Sequence, residues 1–77
     1  MNVNLAKIGD DIEFKYGNRI VKETISNITN KIGTSIKGFE YNCPGYTGFV
    51  RFDEVIYLWI KQDEGTMKRY VINEALL

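Results

Sequence analysis

The residue pattern predicts an all-β domain, a small antiparallel barrel of five or six strands. Three observations carry this expectation. Apolar and polar residues alternate with period two in several short runs. Turn signals built from Gly, Asn, Pro and Asp punctuate the chain roughly every 8–12 residues. No segment carries an unambiguous helical stripe. A barrel is favoured over a sandwich because closure removes edge strands and gives a 77-residue chain the most burial per residue. Residues 1–77 are expected to fold as one domain.

The elements follow in order. In Asp11-Ile12-Glu13-Phe14-Lys15-Tyr16 the residues Ile12, Phe14 and Tyr16 share one face and Glu13 and Lys15 the other, as in a half-buried strand. Gly17-Asn18 tolerates the positive φ of a tight hairpin turn. Arg19 to Ser26 then reads as a returning strand. Val21, Ile25, Ile28 and Ile32 also fall at the i, i+4, i+7 and i+11 spacing of an amphipathic helix. The segment's Thr, Ser, Asn and β-branched residues, and its start directly after a hairpin signal, decide for strand. Asn30 to Gly33 reads as a turn and Thr34 to Tyr41 as a third strand. Asn42-Cys43-Pro44-Gly45 is the strongest turn signal, with Pro and Gly suited to the central positions of a type II turn. Thr47 to Phe52 is a fourth strand. Val55 to Ile60 is apolar on both faces and is expected to be the most buried strand. Gln62 to Thr66 turns the chain, Met67 to Ile72 returns it, and Asn73 to Leu77 reads as a short helical turn or a docked tail.

Composition narrows the function. Ten Lys+Arg balance ten Asp+Glu, which excludes the strongly basic balance of a small phosphate-gripping module unless charge is segregated on one face. His, the commonest general base and metal ligand, is absent. The lone Cys43 forms no internal disulfide and no zinc site, and suits a reducing compartment. The first seven residues lack the pattern of a signal peptide, and the longest apolar run, Val55 to Ile60, is too short to span a bilayer. A cytoplasmic protein without a cofactor and with no membrane partner is therefore expected. The acidic pairs Asp10-Asp11, Asp53-Glu54 and Asp63-Glu64 alternate faces on extended backbone and read as solvated turn acids. Cys43 has no His to activate it, so an enzyme is not expected.

Recognition chemistry is better represented. Tyr41, Tyr46, Phe49 and Phe52 bracket the Asn42–Gly48 loop, with Lys37 and Arg51 beside it. An exposed loop tyrosine offers a large apolar face and a hydroxyl at low entropic cost, and rings next to cations suit base stacking with a phosphate contact. Lys37, Tyr41, Tyr46 and Arg51 are the candidate partner-binding residues. Phe39, Phe49, Phe52 and Trp59 are expected in the core. Lys61, Lys68 and Arg69 read as charges that protect an edge strand.

The segments Ile12–Asn18, Ser35–Tyr41, Gly45-Tyr46 and Phe49–Val55 together resemble the barrel portion of WYL domains, over about residues 11–58. The resemblance implies a barrel of the Sm-like or Src-homology type that senses nucleotide or nucleic-acid ligands. Arg51 and Asp53 align with the second Arg and the Asp of the family's last barrel motif. Gly48 and Glu54 stand where that motif has its first and third Arg, and the Trp-Tyr-Leu triplet is missing.

Two functions are therefore expected. The first is a non-enzymatic binding protein, a small accessory or phage-type inhibitor that occludes a larger protein partner. The alternative is a nucleotide or single-stranded nucleic-acid binding module of WYL-like type. A homodimer is also expected, because pairing adds burial to a small barrel.

Overall fold

A single polar side chain, Asp10, sits at the corner around which the strands are arranged. The computed structural model describes residues 3–77. Six strands follow in chain order, β1 (Asp11–Tyr16), β2 (Arg19–Asn30), β3 (Lys37–Cys43), β4 (Tyr46–Arg51), β5 (Val55–Lys61) and β6 (Met67–Val71). All pairings are antiparallel, and the sheet runs β4-β3-β2-β1-β5-β6. Short 3-10 turns lie at Val3–Leu5, Phe52–Glu54 and Glu74–Leu76. The all-β antiparallel expectation holds, and the ambiguous stretch after Gly17-Asn18 is strand.

The two halves of the sheet share β2. Its first half pairs with β1 (Asp11 opposite Thr24, Tyr16 opposite Arg19). Its second half pairs with β3 (Ile25 opposite Tyr41, Asn30 opposite Lys37), with a register shift between Ile25 and Asn27. A bulge bends a strand and sharpens its twist, so the two halves turn towards one another and enclose the core. That core takes Ile12 and Phe14 from β1, Ile25 from β2, Phe39 and Tyr41 from β3, Val50 from β4, and Val55 and Leu58 from β5. Phe39 packs on Phe52 with ring centroids 4.7 Å apart, and Phe14 on Tyr41 at 5.2 Å. Complete burial of Val55, Ile56 and Leu58 matches the expectation for β5.

The sheet does not close. Closure would require the two edge strands, β4 and β6, to pair, and they do not. β4 and β6 are therefore free edges. The third strand also starts later than expected, at Lys37. The Thr34 hydroxyl donates to the Lys31 carbonyl at 2.9 Å and accepts the Ile36 N–H at 3.1 Å, and such local bonds draw the chain out of a ladder. Gly45 has φ +90°, as position i+2 of a type II turn requires, so the Pro44-Gly45 turn forms as read. The tail docks as well as turning, since the Ile72 N–H and the Asn73 side chain donate to the Ile56 and Val55 carbonyls.

The reading of Asp10 as a solvated turn acid is corrected. Asp10 is 1% exposed. Its Oδ2 accepts the Lys7 N–H at 2.9 Å and its Oδ1 the Lys61 N–H at 3.0 Å, while its carbonyl accepts the Ile25 N–H at 2.8 Å. It thereby joins the segment before β1, the bend of β2 and the end of β5. Asp11 instead accepts an exposed hydrogen bond from the Thr24 hydroxyl. Asp10→Ala leaves two backbone donors unpaired, and urea unfolding is expected to show a loss of about 2–5 kcal/mol. Asp11→Ala should stay within about 1 kcal/mol of the parent. Equal effects would contradict the assigned role of Asp10.

Candidate interaction surface

The strand register distributes the four candidate residues over three places. Tyr41 belongs to the core. It is 5% exposed, packs on Phe14 and lies over Gly48, directly opposite on β4, where an added Cβ would collide with its ring. Its ring is thus not a contact surface. Tyr46 begins β4 beside the Pro44-Gly45 turn and is 55% exposed. Lys37 and Arg51 lie at the opposite end of the β3–β4 pair, where Gly38 faces Arg51. Five steps of strand at ~3.3 Å each separate Tyr46 from Arg51 by roughly 17 Å. Tyr46 and Arg51 therefore do not share a site.

At the Tyr46 end, the Cys43 thiol donates to Glu23 Oε2 at 3.7 Å. The Tyr46 phenol is pushed up to about 12, first by a side-chain hydrogen bond with Cys43 and then by the charge Cys43 can carry. Burial, reinforced by Cys43 and Glu23, raises the Tyr41 phenol as well. Because the folded state holds these phenols neutral, the stability they contribute is complete below the ordinary tyrosine value of 10.0. It is lost as pH rises through their raised folded values, which for Tyr46 is about 12. Cys43→Ala should lower the last step of an ultraviolet tyrosinate titration from about 12, since Cys43 supplies the two leading causes of the Tyr46 shift. An unchanged last step would remove Cys43 as the cause.

At the other end, Arg51 is held by acids. Its Nε lies 3.1 Å from Asp53 Oδ1 and 3.6 Å from Glu54 Oε1, and its backbone N–H donates to Glu54 at 2.9 Å. Two shallow grooves lie beside it. One, of about 330 Å³, is lined by Lys31, Ile36, Phe49, Arg51 and Glu54. The other, of about 260 Å³, is lined by Lys31, Ile32, Glu40, Thr47, Gly48 and Phe49. Lys31 and Phe49 are common to both. Phe49 is thus half-buried on the outer face of β4 instead of lying in the core. Lys37 borders a further groove with Ile28, Thr29 and Asn30.

Above these grooves projects the β2–β3 connection. The Lys31 N–H donates to the Ile36 carbonyl at 2.8 Å and the Thr34 N–H to the Lys31 carbonyl at 2.9 Å. These bonds fix the loop while leaving Ile32 93% exposed, with Ile28 and Ile36 each 40% exposed nearby. Reading Asn30–Gly33 merely as a turn misses this cluster. Its signal was an isoleucine at a turn position where polar residues usually stand.

Trp59 also departs from expectation. It lies half-buried on the outer face of the other half-sheet, and its Nε1–H donates to Glu13 Oε1 at 2.6 Å. Among the described residues, no group of three or more His, Cys, Asp or Glu could hold a metal ion, and no helix is long and apolar enough to cross a membrane. What the β2–β3 end offers chemically is apolar contact with a rim of both charges. Comparison with known proteins returns no match among family models, curated protein sequences or solved structures.

Proposed function

We propose that this chain is a non-enzymatic protein-binding module that covers part of a larger protein partner with its β2–β3 end. The observation that carries this reading is Ile32, an almost fully exposed isoleucine held at the apex of an internally hydrogen-bonded loop. Burying an isoleucine contributes about 1.5–3 kcal/mol, and a side chain already held in place loses little further freedom on docking. Ile36 and Phe49, which line the two grooves with Lys31, extend the apolar area. Lys31 and Arg51 stand with Glu40 and Glu54 in the groove linings, and such a mixed rim suits a protein surface better than a polyanion. The alternative, a nucleotide or single-stranded nucleic-acid site formed by Lys37, Tyr41, Tyr46 and Arg51, has less support because those residues are dispersed and Arg51 is already paired.

The same reading includes a finer view of the fold, a barrel of the Src-homology type left open by β6. The shared, bent β2 and the 3-10 turn between β4 and β5 support it. The homodimer would use β4, whose Tyr46–Val50 carries no charge, since Lys68 and Arg69 guard β6.

Tagged protein captured from nuclease-treated host lysate should retain a partner at near-stoichiometric yield. Ile32→Asp should abolish that capture with the melting temperature unchanged, because the side chain is outside the core. Retention of the partner by Ile32→Asp would sink the proposal. Light scattering on the same samples separates a foreign partner from a second copy of this chain.

A further inference from the structure

The outer face of the half-sheet formed by β1, β5, β6 and the first half of β2 has a chemistry of its own. Strand alternation puts Lys22 and Thr24 of β2, Asp11, Glu13 and Lys15 of β1, Tyr57, Trp59 and Lys61 of β5, and Arg69 of β6 on that one face. Glu13 stands opposite both Lys22 and Tyr57, and Trp59 stands between Asp11 and Arg69. The cations gather on the rings. Lys22 Nζ lies 3.9 Å from the Trp59 ring centroid, and Arg69 Cζ lies 4.6 Å from that of Tyr57 and 5.9 Å from that of Trp59.

Both acids of this face are committed to neutral donors. Glu13 accepts the Trp59 indole N–H at 2.6 Å, and Asp11 accepts the Thr24 hydroxyl at 2.7 Å. Among the described residues, the three ion pairs all lie elsewhere, so Lys15, Lys22, Lys61 and Arg69 are each free of an acidic partner. Four of the ten cations and two of the ten acids of the chain stand here. The face is therefore positive on balance and the rest of the neutral chain negative. That is the segregation of charge which lets a protein of zero net charge attract a polyanion.

We propose that this face binds single-stranded nucleic acid, with phosphates on Lys15, Lys22, Lys61 and Arg69 and unpaired bases stacked on Trp59 and Tyr57. Four neighbouring strands about 4.8 Å apart spread the cations over roughly 15 Å, which suits an extended polyanion better than one small anion. Half-buried rings in a sheet reach only bases that are unpaired, so a single strand is selected over a duplex. Lys22 is exposed. An arriving base takes its place over Trp59 while the ammonium moves to a neighbouring phosphate, keeping both contacts favourable. The β2–β3 end takes no part, so this site stands or falls independently of the protein-binding reading.

The test uses the full chain and a labelled oligothymidylate of about twelve nucleotides, within the ~4–16 that such surfaces cover. Trp59 is the sole tryptophan, so its fluorescence reports stacking directly. Binding at low salt should quench it. The logarithm of affinity should fall with the logarithm of salt concentration at a slope of about −2 to −3, from three or four phosphate contacts. Lys22→Ala with Arg69→Ala should weaken binding at least tenfold and flatten the slope, whereas Ile32→Asp should leave both unchanged. If that double variant unfolds, Lys15→Ala with Lys61→Ala provides the same reading from the rim of the face. Absence of binding at low salt, equal affinity for a duplex, or binding without Trp59 quenching would each overturn the proposal.

Discussion

The arrangement of this sheet depends on one buried carboxylate at a corner. A bent strand leaves backbone donors on its flanks without regular ladder partners, and such groups are costly when water is excluded. Asp10 supplies two of the missing acceptors with its side chain and a third with its carbonyl. The Lys7 ammonium, 3.9 Å away on a largely exposed side chain, adds little, because an exposed partner is strongly screened. It is therefore the backbone N–H groups that stabilise the buried charge. The carboxylate and the corner are mutually dependent.

Much of this was legible in the residues. Alternation placed β1, the Pro44-Gly45 turn fixed the β3–β4 hairpin, and the two-faced apolar run identified β5. These are local signals and depend on period and turn chemistry alone. The errors share a different cause. Asp10 and Asp11 are adjacent and chemically identical, yet one is a buried node and the other a surface acceptor, because the partners of Asp10 lie as far away as Lys61. Openness was invisible because it depends on whether the distant edge strands β4 and β6 meet, which no local signal encodes.

The misplaced aromatic residues follow the same logic. Tyr41 was drawn towards the surface by its loop neighbours, but its register opposite Gly48 gives its ring a place inside. Phe49 and Trp59 were assigned to the core by hydrophobicity, but they stand one residue out of phase with Val50 and Leu58, which fill it. On a strand, that single step reverses the face. Hydrophobicity alone could not give the phase. It is set by the cross-strand register, which puts Phe49 opposite Glu40 and Trp59 opposite Asp11.

A small folded sheet encloses only one interior, and this chain carries more rings than that interior accommodates. Phe14, Phe39 and Tyr41 fill it, with Phe52 packed at its margin. Phe49, Tyr57 and Trp59 remain half-buried on outer faces. An outer ring adds less stability than a core ring, because much of its area stays wet. Each of these three has cations beside it, Lys31 and Arg51 near Phe49 and Lys22 and Arg69 near Trp59 and Tyr57. Were solubility the only demand on these faces, smaller polar residues would meet it without exposing aromatic area. The two half-sheets thus present two chemically different surfaces. One is an apolar apex with a balanced rim, the other a positive aromatic floor, and the bend at Asp10 sets the angle between them.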